Sequence, residues 1–280
     1  MHLVMILAAL GLACFLRLSY DSAGDWTQRW AKSLSLFLFP PLLLIMTGLA
    51  VLCMGPQGRM IGLQASWFSY SLAIVFLLVA GVLCLHLAWS GWLCVCQART
   101  YPSRNFGGRV CRVLDAPILF SANIGFWQPE LVVSLGLLDT LDNTHLDAVI
   151  AHEQAHYYYR DTFWFFWLGW MRSCTSWLPN TEALWQELLI LRELRADRWA
   201  AQKVDPLVLA ESLLLVVSSS SSIPAESFCA AFSSPAQANR LAQRIEALLA
   251  ESNSVHQTNW LSWIWVFLVF LPLVAIPFHS

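Results

Sequence analysis

Between Ser66 and Cys96 the chain runs for 31 residues without an Asp, Glu, Lys or Arg. Such a segment, read as a helix rising about 1.5 Å per residue, is longer than the roughly 30 Å hydrocarbon core of a bilayer. It is therefore expected to cross a membrane, and to tilt or continue into a soluble domain. Composition agrees: 58% of the residues are hydrophobic, only 12% are charged, and there are fifteen tryptophans, a residue that favours membrane interfaces. Three further segments read as spans, Leu3–Leu18, Ser33–Met54 and Trp260–Phe278. Pro40-Pro41 is expected to kink the second. The first lacks the basic start of a signal peptide, and Gly11-Leu12-Ala13-Cys14 is a poor cleavage box, so it reads as an uncleaved span.

These segments divide the chain into residues 1–98 with three transmembrane helices (about 3–18, 33–54 and 66–96), a soluble domain over 99–259, and a last span over 260–280. Arg17, Arg29 and Lys32 flank the first connection, Arg59 stands alone in the second, and Arg99, Arg104, Arg109 and Arg112 follow the third span. The excess of positive charge places the first connection and the soluble domain in the cytoplasm. The eight cysteines form no C-x-x-C pair, so neither a disulfide frame nor a cysteine zinc site is indicated. With a net charge of −2 and no basic patch, nothing argues for nucleic acid as a partner.

Chemistry concentrates in His152-Glu153-Gln154-Ala155-His156. Two histidines four apart project from one face of a helix and can share a metal ion, and the glutamate between them lies where it can take a proton from water. Glu193, on a second expected helix, supplies a third ligand, which leaves a zinc ion one open position. Asp197 follows one turn later, where a carboxylate can hold a ligand histidine by its other nitrogen or simply form a surface charge beside Glu193. Thr144-His145-Leu146-Asp147 reads as the capping box that starts the histidine helix. Asn180 or Thr181, with Glu182 in the first turn, starts the second.

Around this pair, residues 110–121 and 130–135 read as strands, the latter either an edge beside the metal that an extended substrate joins or a buried core strand. Asp205-Pro206 begins another helix, Ser218 to Ser222 a loop, and Pro235 to Ala250 a last amphipathic helix. The run Phe163 to Met171 looks like a span. A single crossing there would part His156 from Glu193, and too few residues precede Asn180 for a hairpin, so it is expected to lie at the interface or pack in the domain. That would put the site near the membrane surface. The fold class expected is a mostly α membrane protein with an α+β zincin-like domain inserted between the third and fourth spans.

Several stretches resemble the antirepressor-type membrane metallopeptidases, the peptidase part of the β-lactam receptors BlaR and MecR. They are Gly125-Phe126-Trp127-Gln128-Pro129-Glu130-Leu131-Val132-Val133, Leu146 through His156, Arg160-Asp161 and Trp177-Leu178-Pro179. Glu193-x-x-Ala196-Asp197 also resembles the HtpX and CAAX prenyl protease relatives. The resemblance implies that His152, His156 and Glu193 bind one zinc ion, that Glu153 is general base and acid, and that Asp197 orients a ligand histidine. It implies a bacterial cytoplasmic membrane, and a protein substrate such as a transcriptional repressor or the protease itself. A penicillin-binding sensor does not follow the last span, so β-lactam sensing is not implied. In HtpX-like relatives a histidine-proline precedes a late arginine; here Ser233-Ser234-Pro235 precedes Arg240, which reads as an oxyanion stabiliser or as a structural arginine. His145 and Tyr158 are other candidates for that role. The alternatives to signalling are membrane-protein quality control, and a transmembrane scaffold whose zinc is structural and would need a fourth ligand.

Overall fold

The computed structural model describes residues 1–20, 26–57, 59–60, 63–64, 66–106, 109–220, 237–249 and 265–278. The chain divides into two compact units, one of Met1–Ala88, Trp167–Leu189 and Ser254–Ser280, the other of Trp89–Phe166 and Ile190–Asn253.

In the first unit, α1 (His2–Leu18) and α2 (Trp26–Met54) pack together, followed by a two-stranded turn of β1 (Arg59–Met60) and β2 (Leu63–Gln64) and by α3 (Trp67–Thr100). Ala9, Ala13, Phe39, Leu43, Leu44, Leu178 and Val269 form its core. Two helices, Gln28–Met54 and Trp67–Thr100, are long and apolar enough to cross a membrane. Most of α3 exposes its apolar side chains, Trp67, Leu78, Leu85 and Trp92 among them, as a lipid-facing helix would. The helix α2 runs unbroken through Pro40 and Pro41. Among the described residues α2 and α3 alone are long and apolar enough to span, and the start of the expected last span, residues 260–264, lies outside the described residues. Helix α1 has 17 residues, and the described C-terminal residues form three short helical pieces, Trp265–Leu268, Leu271–Val274 and Ile276–Phe278. Pro272 and Pro277 lack the N–H that would carry one helix through. Arg17, expected as a flanking charge, is fully buried instead. Its Nη2 donates to the Phe37 carbonyl at 3.1 Å, and its guanidinium lies 5.1 Å from the Phe37 ring centre.

The second unit holds a four-stranded sheet in the order β3-β4-β6-β5. Strand β3 (Ser103–Phe106) pairs antiparallel with β4 (Arg109–Leu114), β4 runs parallel to β6 (Glu130–Ser134), and β5 (Ser121–Ile124) pairs antiparallel with β6. The single strand expected over 110–121 is therefore two. Ala116 N donates back to the Leu114 carbonyl and Pro117 follows, a turn that ends the ladder. The 130–135 strand is interior, with Val132 and Val133 buried, and β5 is an edge among the described strands. Gly125 makes the return from β5 to β6 possible. At φ 142 it occupies backbone space that side chains avoid, and a Cβ there would lie 2.8 Å from the Pro129 Cα.

After the sheet come α4 (Leu135–Thr140), α5 (Asn143–Tyr158), α6 (Asp161–Cys174), α7 (Thr181–Ala200), α8 (Pro206–Ser220) and α9 (Gln237–Leu249). The cap of α5 is Asp142 rather than Thr144: its Oδ1 accepts from the His145 N–H at 2.9 Å. Helix α8 starts where expected, with Pro206 first and Asp205 Oδ1 accepting from Leu207 N. It continues through Ser218 to Ser220, while Ser221 and Ser222 lie outside the described residues, as do Ser233 to Pro235. One face of α5 puts Leu146 and Val149 into the sheet's core; another sets Ala148 and Ala151 against Leu209 and Leu213 of α8. Helix α6, at 14 residues, spans about 21 Å, too short to cross a bilayer on its own.

Candidate active site

Helix α5 carries His152, Glu153 and His156 in its last two turns, and α7 carries Glu193 and Asp197 one turn apart. His152 Nε2 lies 3.1 Å from His156 Nε2 and 3.4 Å from Glu193 Oε2, and His156 Nε2 lies 3.8 Å from Glu193 Oε1. Ligands held about 2.1 Å from a tetrahedral ion stand roughly 3.4 Å apart, so this donor set fits zinc. All three ligand atoms fall within 4.8 Å of one another, the only such group of three among the described residues.

Both histidines turn Nε2 inward because a carboxylate faces each Nδ1. Asp197 Oδ1 stands 2.8 Å from His152 Nδ1, and Asp161 Oδ2 stands 2.7 Å from His156 Nδ1. Each carboxylate is in turn held by an arginine. Arg244 of α9 grips Asp197 with two bonds of 2.7 Å, and Arg195 pairs with Asp161 while lying 4.2 Å from the Tyr159 ring centre. Glu193 has its own cations, Arg192 Nη2 at 2.6 Å and Arg244 Nη1 at 3.4 Å.

These contacts set the protonation states. Burial alone would raise the Glu193 carboxyl, but Arg192, His156, His152 and Arg244 hold it well below the ordinary carboxylate range. Burial would lower His152, yet Asp197 and Glu193 outweigh it and push the imidazole up to about 9 in the metal-free protein. Asp197 is likewise opposed by burial and lowered by Arg244 and His152.

His152, His156, Glu193 and Asp197, singled out in the sequence, thus meet, with Glu153 on the same turn as His152. Arg244, one turn beyond Arg240 on α9, is the arginine placed against Asp197 and Glu193. His145 faces Asp142 and Glu211 at the start of α5, and Tyr158 stacks on Trp199. Sequence reasoning missed Arg244, Arg195 and the part played by Asp161. The signal for Asp161 was slight, an acid five residues after His156. It reaches back because Arg160 adopts a left-handed φ of 53° and turns the chain sharply from α5 into α6. For Arg244 the amphipathic pattern of α9 did not distinguish it from Arg240.

A sheet-backed helix bearing two inward histidines and a glutamate, completed by a glutamate from a second helix, is the arrangement of a metallopeptidase. Residues 113–259 match the family model of peptidase family M48, and the chain belongs to that family. The match begins inside β4 and takes in every residue of the site. No curated protein and no solved structure matches the chain.

Proposed function

We propose that the chain is an integral-membrane zinc endopeptidase that hydrolyses a protein substrate at the cytoplasmic membrane face. The observation that carries this reading is the convergence of His152, His156 and Glu193, with Glu153 on the same helical turn. His152, His156 and Glu193 would hold one zinc ion, which would supply Lewis-acid polarisation of the scissile carbonyl and of a water, whose pKa would fall toward about 7. Glu153 accepts a proton from that water as it attacks and returns the proton to the leaving amine. Asp197 and Asp161 keep Nδ1 of their histidines engaged, so that each Nε2 lone pair points inward. The side of β5 that pairs with no described strand would offer backbone groups to an extended substrate strand. Arg240 is retained as the candidate donor to the oxyanion.

The resemblance to antirepressor-type peptidases favours a repressor, or the chain itself, as substrate in signalling. Its Glu193-x-x-Ala196-Asp197 element favours a second reading, an HtpX-like protease of membrane-protein quality control. Comparative proteomics of membranes carrying the native chain or Glu153→Gln tests both. Fragments present only with the native chain, at equal zinc content, identify the substrate and its class. Identical fragment profiles would instead leave a scaffold with structural zinc.

A further inference from the structure

The geometry points to Ser121 and Asn123 as the residues that orient Glu153, a positioning role carried by the edge strand β5. This inference rests on the proteolytic reading above. The two residues lie two apart on a strand, so their side chains leave the same face, the one turned toward α5. Ser121 Oγ donates to Glu153 Oε1 at 3.0 Å. Asn123 Nδ2 donates to Oε2 at 2.8 Å and to the Glu153 main-chain carbonyl, also at 2.8 Å. Both carboxylate oxygens are thus tied to one strand, and the helix backbone that bears them is tied to it too.

A glutamate carboxylate turns easily about its last torsion, which is broad and two-fold. A general base has to present a lone pair to a water that arrives in one place, so free rotation costs rate even when binding is unaffected. Donors on both oxygens fix the plane. Each oxygen has two lone pairs and spends one on these bonds, so one remains on each for proton transfer. Arg244 is close enough for its charge to act on Glu153, and it offers the carboxylate a competing direction once the strand lets go. Register reinforces the argument. β5 is held in place by pairing Ser121 with Val133 and Asn123 with Leu131, and its other edge has no partner among the described strands. A substrate strand joining that edge would be aligned by the same strand that aims the base. The Asn123 amide has both protons committed to Glu153, which leaves only its Oδ1 for a substrate.

The test uses the full-length protein in detergent, a proteome-derived peptide library as probe, and then the peptide cut fastest by the native chain. Asn123→Ala is expected to lower kcat about 100-fold and Ser121→Ala about 10-fold, with KM within about twofold, as for loss of an effect made only in the transition state. Zinc content, measured by atomic emission, stays at the native value in all variants. Ser121→Thr keeps the hydroxyl and is expected to retain kcat within about threefold, and the isosteric Asn123→Asp, which sets like charges face to face, to lose more than Asn123→Ala. Unchanged kcat in the alanine variants, or a raised KM at native kcat, would overturn the inference and leave these residues as packing or substrate contacts. A native chain that cuts nothing, zinc-loaded, would overturn the proteolytic reading itself.

Discussion

Asp161 and Asp197 occupy matching positions, one against each histidine, but they are reached by different means. Asp197 comes from the helix that also carries Glu193; Asp161 opens the helix that follows the histidine helix. Removing the charge from either, as Asn, should weaken zinc binding about 10–100-fold, measured by chelator competition. A weaker effect at Asp161 than at Asp197 would show the turn to be the less important support. The metal-free protein should also depend on pH through His152. Its pKa is raised from 6.5 to about 9 in the folded state, so the stability its proton contributes is whole below about pH 6.5 and is lost as pH rises through about 9. Zinc and that proton compete, so zinc uptake at neutral pH should release about one proton, read by calorimetry in buffers of different ionisation enthalpy. Uptake without proton release would contradict the raised pKa.

At the level of elements, close backbone approaches decide whether the sheet can support the site. Gly136, in the first turn of α4, has no room for a side chain: a Cβ would lie 2.2 Å from the Pro117 carbonyl oxygen. Gly136→Ala should therefore destabilise the domain by about 1–3 kcal/mol, seen as a lower urea midpoint with an unchanged slope. Helix positions were largely legible in the sequence, since α1, α3, α7, α8 and α9 follow apolar runs, caps or proline starts within a few residues, while α2 begins at Trp26, ahead of its apolar run. The strands were less so. The expected strand at 130–135 was found, but whether it lay at an edge or in the interior depended on which strands joined it from either side, and no local pattern in five residues records that.

For the molecule as a whole, the two long apolar helices and the family match together support a peptidase domain attached to membrane helices. On charge asymmetry, the proposed place of that domain is the cytoplasm. A cysteine introduced on the exposed surface of α8, at Leu207, should then react with an impermeant maleimide only after cells are opened. Labelling of intact cells would reverse the orientation. The described C-terminal residues form short helical pieces, with Pro272 and Pro277 in the second and third.

The sequence by itself determined the donors: a helix repeat of 3.6 puts His152 and His156 on one face, and the same arithmetic puts Asp197 behind Glu193. It also determined the apolar segments, because a long uncharged run has few places to go but lipid or a core. Only the tertiary structure decided what surrounds the donors. Arg244 arrives from a late helix, Ser121 and Asn123 from an edge strand, Asp161 from the start of α6 after a left-handed turn, and Arg195 from α7, and their contacts with the site depend on how these separate elements pack. Spacing along one helix is a local property; the meeting of separate elements is settled by the whole core they bury.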